Sequence, residues 1–278
     1  MIKRVCWNIT NRCNDSCPFC FRDKERDSLT FEQNAIIASK LIAGKINHIA
    51  FSGGEALLYK DLFKIVEMFK KEAISTTLIS NGILLKNREL LDCCANTFDW
   101  LSIPMDSMTY MDGITRNKNH ISNIVSILDY LEKRQFVKVK INTVVSHQNY
   151  KDILSIYNNI IEKYSCIKRW NLFEFTPLRG SSIEEKDTFL LNELEDQFVI
   201  NSLHSIVISK DDLLVKYKHK NTIAESYFVI SPNGDICNSK HNKIGNLLYD
   251  NIADICTLLD IDMDLYTKRT MDNKLIIV

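Results

Sequence analysis

The sequence predicts an α/β protein: a partial (β/α)6 TIM-like barrel over residues 1–180, with a small C-terminal α+β extension over residues 181–278 packing on it as a lid. Three observations predict it. Strand-like runs alternate with amphipathic helical segments six times before residue 180, and parallel neighbours need helical crossovers of that kind. Polar and glycine-containing signatures fall just after the strand-like runs, at the carboxyl ends where α/β folds gather ligands. The alternation then gives way to a polar, helix-rich stretch and one hairpin pattern. Six units fall short of the eight strands and about 250 residues of a full barrel. An open or partial barrel fits better than a doubly wound sheet, although periodicity alone does not separate them.

Residues 5–10 are the first predicted strand; Cys13, Cys17 and Cys20 follow, then a charged stretch at 22–27. Thr30 and Gln33 read as a capping box, opening a helix to Ala43 with Ile36, Ile37, Leu41 and Ile42 at helical spacing and Gly44 as its stop. Residues 46–51 form the second strand, ending at Ser52-Gly53-Gly54-Glu55. The next helix, 61–72, sets Leu62, Ile65, Val66 and Phe69 on one face. Strand three, 75–79, precedes Ser80-Asn81-Gly82 and a helix over 87–95. Strand four, 100–104, runs into Met105-Asp106-Ser107. A loop with Gly113, Arg116, Asn117 and Lys118 then leads to a helix over 121–134. Strand five, 137–145, is rich in β-branched residues; a helix follows over 150–164. Strand six, 169–175, ends at Thr176-Pro177-Leu178-Arg179-Gly180. Beyond it, 181–203 is polar and helical. Residues 227–230 and 235–237 make a hairpin about Pro232-Asn233-Gly234, and a short helix lies near 251–259.

Composition narrows the function classes. Hydrophobic residues are 45% and charged residues 25% of the 278, ordinary for a globular chain able to bury a sizeable core. Lys plus Arg equals Asp plus Glu, at 35 each, which argues against broad nucleic-acid binding but not against a local basic pocket. No signal-peptide apolar core or membrane-length apolar run is visible, so a cytoplasmic, membrane-free location with reduced thiols is expected. Nine cysteines are then not a disulfide framework. Most read as small buried hydrophobes, Cys93 and Cys94 among them, since adjacent helix positions face different ways.

The cysteine loop is the exception. Cys13, Cys17 and Cys20 are separated by three residues and then two. Thiolates favour zinc, copper(I) or iron–sulfur clusters. A structural zinc site wants a fourth ligand, and none lies within the loop; Cys6, on the strand, is the closest preceding thiol. A four-iron cubane held by three cysteines keeps one iron open for a small molecule. The second signature, Gly53-Gly54-Glu55, lets a backbone approach a ligand closely, and Glu55 can accept from an amino group. Taken alone, a Gly-Gly pair is equally a tight turn.

Together, a Cys-x3-Cys-x2-Cys loop after strand one and Gly-Gly-Glu after strand two resemble the radical S-adenosylmethionine (SAM) superfamily, over residues 4 to about 180. The resemblance implies that Cys13, Cys17 and Cys20 hold a [4Fe–4S] cluster whose open iron takes the amino and carboxylate groups of SAM. One electron, from a donor such as flavodoxin or ferredoxin, would cleave SAM to a 5′-deoxyadenosyl radical that abstracts hydrogen from the substrate. It also implies that Gly53, Gly54 and Glu55 meet the SAM amino group, and that Ser80, Asn81 and Ser102 face its methionine or ribose. Arg116 would meet the carboxylate, unless it is a surface residue; Asn142 and Val144 would lie near the adenine, with Phe19 packing over it.

Within the superfamily the chain looks most like the viperin-like enzymes, which dehydrate a nucleoside triphosphate to a 3′-deoxy-3′,4′-didehydro product. The residues that carry this are Cys20-Phe21, Phe51 to Glu55, Ile79 to Gly82, Met105-Asp106-Ser107, Lys118-Asn119-His120, Lys140 to Val145, Arg169-Trp170 and Ser226-Tyr227, in the expected order. Substrate contacts are then expected at His48, Asp106, Arg169, Asn171 and Tyr227. His48 and Asn171 stand where such enzymes carry cations, which should weaken triphosphate binding. Residues 176–180 and 231–246 also resemble parts of the molybdopterin-precursor (MoaA-type) and peptide-modifying groups. Only Cys237 and Cys256 lie beyond Cys166, so no second cluster is expected. Radical chemistry on a peptide or another metabolite is the alternative, and a non-catalytic zinc-binding scaffold a remote one. Tyr227 also suits a hairpin core, Asp106 a turn cap and His120 a helix start; Lys70-Lys71 and Lys216 to Lys220 read as solvated surface.

Overall fold

All described strands of the computed structural model join one sheet of eleven. The description covers residues 2–22, 28–108, 116–134, 137–206, 208–223, 227–238, 242–268 and 275–277. Gly113, Ser226 and most of the charged stretch at 22–27 lie outside it. In chain order the elements begin β1 (Arg4–Thr10), α1 (Phe31–Ala43), β2 (His48–Gly53), α2 (Leu62–Lys71) and β3 (Ser75–Ile79). They continue α3 (Arg88–Thr97), β4 (Trp100–Pro104), α4 (His120–Glu132), β5 (Lys138–Val145), α5 (Ile153–Ile156) and β6 (Ile167–Glu174). The later part holds α6 (Ser181–Glu184), α7 (Lys186–Phe189), α8 (Glu193–Ser205), β7 (Leu214–Lys218) and α9 (Lys220–Ile223). The hairpin strands β8 (Val229–Ile230) and β9 (Asp235–Cys237) precede β10 (Lys243–Asn246), α10 (Ile252–Thr257), α11 (Met263–Lys268) and β11 (Leu275–Ile277).

The six predicted β/α units are present, and local chemistry explains their ends. Gln33 N–H donates to Thr30 Oγ1 and Thr30 N–H donates to Gln33 Oε1, completing the capping box of α1. Asn87 caps α3 by accepting from Leu90 N–H. Leu62, Ile65, Val66 and Phe69 are the buried face of α2. Cys94 is buried and Cys93 exposed, as adjacent helix positions require. The helix expected over 150–164 is instead a 3-10 turn (Tyr150–Asp152), α5 and a π-helical stretch (Tyr157–Ile161). The wider π turn keeps Tyr157 stacked on Trp170, with ring centroids 6.3 Å apart.

The strands run β10-β9-β8-β1-β2-β3-β4-β5-β6-β7-β11, and all neighbours from β8 to β11 across β1–β7 are parallel. The C-terminal extension therefore lengthens the barrel sheet at both edges: β7 and β11 beyond β6, β8 beside β1. Alternation along each strand sends one face to the helices and the other inward. Val5, Trp7, Ile49, Phe51, Val139, Ile141, Trp170, Leu172, Val215 and Tyr217 fill the helix-facing core. The intervening residues of these strands face a shared interior space.

That alternation corrects the reading of 216–220 as solvated surface. Lys216 and Lys218 are 1% and 5% exposed. The segment Leu214-Val215-Lys216-Tyr217-Lys218 is an inner strand whose apolar positions, Val215 and Tyr217, were hidden by the charge around them. Its register pairs Asn171 with Lys216 and Phe173 with Lys218. Among the described residues no helix is long and apolar enough to cross a membrane.

A clasp joins α8 to the strand ends. His219 Nδ1 lies 3.5 Å from Glu174 and 3.6 Å from Asp196. Tyr217 donates its hydroxyl to Asp196, and Lys220 pairs with Glu174 at 3.1 Å. One residue earlier on α8, Glu195 takes His147 at 2.6 Å. The hydrogen bond to Glu174 raises the pKa of His219 above its ordinary value. A raised histidine stabilises below its unfolded value, about 6.5, and loses that contribution as pH climbs through the folded value. His219→Gln should therefore cost about 1 kcal/mol at pH 6 and progressively less towards pH 8.5, read by denaturant unfolding. A pH-independent difference would show that charge plays no part in the clasp.

Candidate functional site

The cysteine loop is seated on the end of β2. Gly54 N–H donates to Thr10 O at 2.8 Å, and Glu55 N–H to Arg12 O at 2.8 Å. A Cβ on Gly53, whose φ is +148°, would lie 2.3 Å from Thr10 O; one on Gly54 would lie 2.3 Å from Arg12 O. The glycine pair is thus required by the approach of the cysteine loop's own backbone. Glu55 is fully buried. Its carboxylate accepts from Leu57 N–H at 3.3 Å and Asn81 N–H at 2.7 Å. Burial raises its pKa, against the hydrogen bonds from Asn81, Leu57 and Ser80. The carboxylate ties the end of β2 to the end of β3. Ser80 is buried and accepts from Gly82 N–H at 3.1 Å. Asn81 Nδ2 donates to Asn14 at 2.8 Å and lies 3.9 Å from Cys13 Sγ.

Each thiol of the loop has an N–H group near it. Arg22 N–H approaches Cys20 Sγ at 3.4 Å, and Arg116 Nη1 approaches Cys17 Sγ at 3.6 Å. Burial pushes the Cys17 thiol up to about 12 although Arg116 pulls it down, and burial also raises Cys13. Such thiols stay protonated at neutral pH until a metal displaces the proton. Four sulfurs about one ion would sit about 3.8 Å apart, given Zn–S bonds of about 2.3 Å. Among the described residues, the one trio of ligand atoms all within 4.8 Å of one another is Glu174, Asp196 and His219, not the three cysteines. The loop is too open for one zinc ion; a soft, wider group such as a cubane fits its donors.

Arg116 is not a surface residue. Its side chain is 11% exposed, its Nε donates to Asp106 Oδ2 at 2.5 Å, and its guanidinium lies 5.2 Å from the Phe19 ring centre. Phe19 packs edge-on to Phe189 of α7 at 5.9 Å, in a small cluster with Phe175 that Cys17 and Val144 adjoin. Phe175 and Phe189 were not singled out from sequence, because the approach of α7 to the loop is a tertiary fact.

The interior space is a cavity of about 120 Å³. Arg4, Lys140, Arg169, Lys216 and Lys218 line it with His48, and among the described residues no carboxylate lines it. Lys140 Nζ donates to Thr77 Oγ1 at 3.0 Å, and His48 Nε2 meets the same hydroxyl at 3.1 Å. Lys218 contacts the Tyr227 hydroxyl and lies 4.7 Å from the ring centres of both Phe173 and Tyr227. Asn171 Nδ2 donates to Asn142 Oδ1 at 3.1 Å, and Asn142 Nδ2 to Ser102 Oγ at 2.9 Å, an amide relay across β4, β5 and β6. Of the expected substrate residues, His48, Arg169, Asn171 and Tyr227 line this cavity and Asp106 does not. Arg4, Lys140, Lys216 and Lys218 were missed as site residues. The period-two alternation of basic and apolar residues along 214–218 was the signal that could have found the last two.

Residues 7–160 match the family model described as the radical SAM superfamily. The chain belongs to that superfamily. It is 26% identical over 286 residues to an S-adenosylmethionine-dependent nucleotide dehydratase of Lacinutrix mariniflava, covering 96% of this chain and 58% of that protein. The chain thus spans little more than half the length of that relative. It is 26% identical to a probable GTP 3′,8-cyclase of Methanocaldococcus jannaschii, with 91% of this chain and 84% of that one covered. The radical SAM fold is seen in Streptococcus suis SuiB bound to S-adenosylmethionine: TM-score 0.73, 16% identity, 97% of this chain and 68% of that chain. Radical SAM proteins work with a [4Fe–4S] cluster and SAM, the soft group that the three thiols suit.

Gly54→Ala tests the seating of the loop. Its methyl would collide with main-chain atoms that cannot rotate away, costing on the order of 1–3 kcal/mol and displacing the cysteines. Iron bound per chain after anaerobic reconstitution should fall severalfold. Unchanged iron content would refute the dependence of the loop on this contact.

Proposed function

We propose that the chain is a radical SAM enzyme that dehydrates a nucleoside triphosphate to its 3′-deoxy-3′,4′-didehydro product. One observation carries the substrate class: among the described residues, five cationic side chains and no carboxylate line an interior cavity. A polyanion is the ligand such a space favours, through charge-assisted contacts. The names of the two relatives, a nucleotide dehydratase and a GTP cyclase, support a nucleotide as its source.

Cys13, Cys17 and Cys20 would hold the cluster, with SAM against Gly53, Gly54, Ser80, Asn81 and Arg116. When bound, cluster and SAM supply hydrogen-atom abstraction from the substrate. The protein's part is orientation. Lys140 pairs in register with Arg169, and Asn142 with Asn171 two residues further along. Val144, beside the cysteine-loop cluster, lies four residues beyond Lys140, about 13 Å at a rise of about 3.3 Å per residue. The cations therefore sit low in the barrel and the cysteine loop at its carboxyl end. A nucleotide with its phosphates on the cations points its sugar towards the loop. The cavity is smaller than sites that bury whole ligands of about 300–1,000 Å³, so it suits the phosphate tail. Asn142 and Ser102, joined in the relay, would meet the ribose.

Sequence alone suggested weak phosphate binding, since His48 and Asn171 replace cations. Lys216 and Lys218 of β7 and Arg4 of β1 supply positive charge at the same cavity. A flavodoxin- or ferredoxin-type donor would reduce the cluster, in the cytoplasm. Reduced enzyme with SAM should release more 5′-deoxyadenosine with at least one of the four ribonucleoside triphosphates, measured by mass spectrometry. Lys216→Met and Lys140→Met should each raise KM for that nucleotide roughly tenfold, the loss of one charge-assisted contact. No stimulation by any triphosphate would move the substrate to a peptide or another metabolite.

A further inference from the structure

Asp106 is buried at the end of β4, outside the cation-lined cavity, yet both carboxylate oxygens are engaged. Oδ2 accepts from Arg116 Nε at 2.5 Å and Oδ1 from Val144 N–H at 2.7 Å. Its main-chain carbonyl accepts from Asn149 Nδ2 at 2.5 Å. The carboxylate is thus fixed through both oxygens, its backbone through the carbonyl, and it fixes one edge of the guanidinium. The opposite edge points at the cysteine loop, with Nη1 3.6 Å from Cys17 Sγ and the plane against Phe19.

His120 follows on the helix side and is tied to the end of β4 rather than to the ion pair. It is buried at the start of α4, four residues after Arg116, with Nε2 3.1 Å from Pro104 O. That contact to a carbonyl places the proton on Nε2. Burial first, then the neighbouring Arg116, hold its pKa down to about 4, so it adds no like charge beside the guanidinium. A buried ion pair is weak evidence for stability, because desolvation offsets the attraction; conformational specificity is the better reason to keep one. Here the pair leaves a rigid donor fork with a single heading.

We propose that Asp106 is a positioning residue, which aims Arg116 at the cluster and at the carboxylate of SAM, and that it makes no contact with substrate. The inference rests on the family assignment and on the cysteine loop holding the cluster, but not on the identity of the substrate. It predicts two effects of Asp106→Asn, which preserves shape and the acceptor for Val144 while removing the charge. Arg116 loses its fixed heading, so SAM binds more weakly. Its positive charge near Cys17 loses its counter-charge, so the cluster becomes easier to reduce.

The test uses the reconstituted full chain. Asp106→Asn should retain iron, weaken SAM binding roughly tenfold by equilibrium dialysis, and move the cluster's midpoint potential in the positive direction by electron paramagnetic resonance titration. KM for the accepted nucleotide should stay within twofold. Arg116→Lys, which keeps the charge but loses the fork, should weaken SAM binding comparably, and the double variant should be no worse than either single one. A raised nucleotide KM with unaltered SAM affinity would make Asp106 a substrate ligand and overturn the proposal. So would an unchanged potential and SAM affinity. If Asp106→Asn fails to hold iron, Arg116→Lys decides alone: normal SAM affinity in that variant overturns it. Iron content, SAM affinity and midpoint potential need no substrate, so failure of the nucleotide assignment leaves those readouts intact.

Discussion

Two main-chain hydrogen bonds, Gly54 to Thr10 and Glu55 to Arg12, hold the candidate site together. They join the loop after the first strand to the end of the second, at a separation that no side chain at 53 or 54 permits. Glu55 then fastens the second strand to the third through Asn81, and Asn81 reaches back to Asn14 and Cys13. Three strand ends are thereby welded into one rigid rim before any cofactor arrives. Rigid backbone is what a cluster site needs, since its ligands lie on a loop rather than on a helix or strand.

The barrel below that rim departs from the usual packed interior of branched apolar side chains. The helix-facing positions provide the hydrophobic core, and the inward positions are given over to lysine, arginine, histidine and amide groups. One strand face builds stability while the other builds a charged chamber. Burying so many cations inside a protein carries a desolvation cost. The rings of Trp100, Phe173 and Tyr227 face several of them: Lys140 at 4.5 Å from Trp100, and Lys218 at 4.7 Å from the other two. Aromatic faces offset part of that cost without neutralising the charge.

Much of this was legible in the sequence, for identifiable reasons. The six β/α units followed from periodicity and caps, such as Thr30 with Gln33. The cysteine loop and glycine pair announced themselves by spacing. What stayed hidden depended on tertiary register. Lys216 and Lys218 looked like a solvated run because nothing local says that β7 pairs with β6. The pairing of Asp106 with Arg116 could not be read, because it bridges residues ten apart in the chain. Nor could the backbone donors to Glu55 at Leu57 and Asn81, which meet it only when the strand ends come together. In each case the residue type was read and its neighbours within the fold were not.

The placement of β8 has a consequence for how the protein is made. Cys6 donates its N–H to Phe228, and β8 lies parallel to β1, more than two hundred residues away along the chain. During synthesis the strand that leads into the cysteine loop has one edge without this partner until β8 has emerged. Such non-local pairing slows folding and prolongs exposure to mispairing. The cysteines are therefore translated well before the strand that closes the sheet beside them. Their seating is thereby tied to a segment made more than two hundred residues after the loop itself.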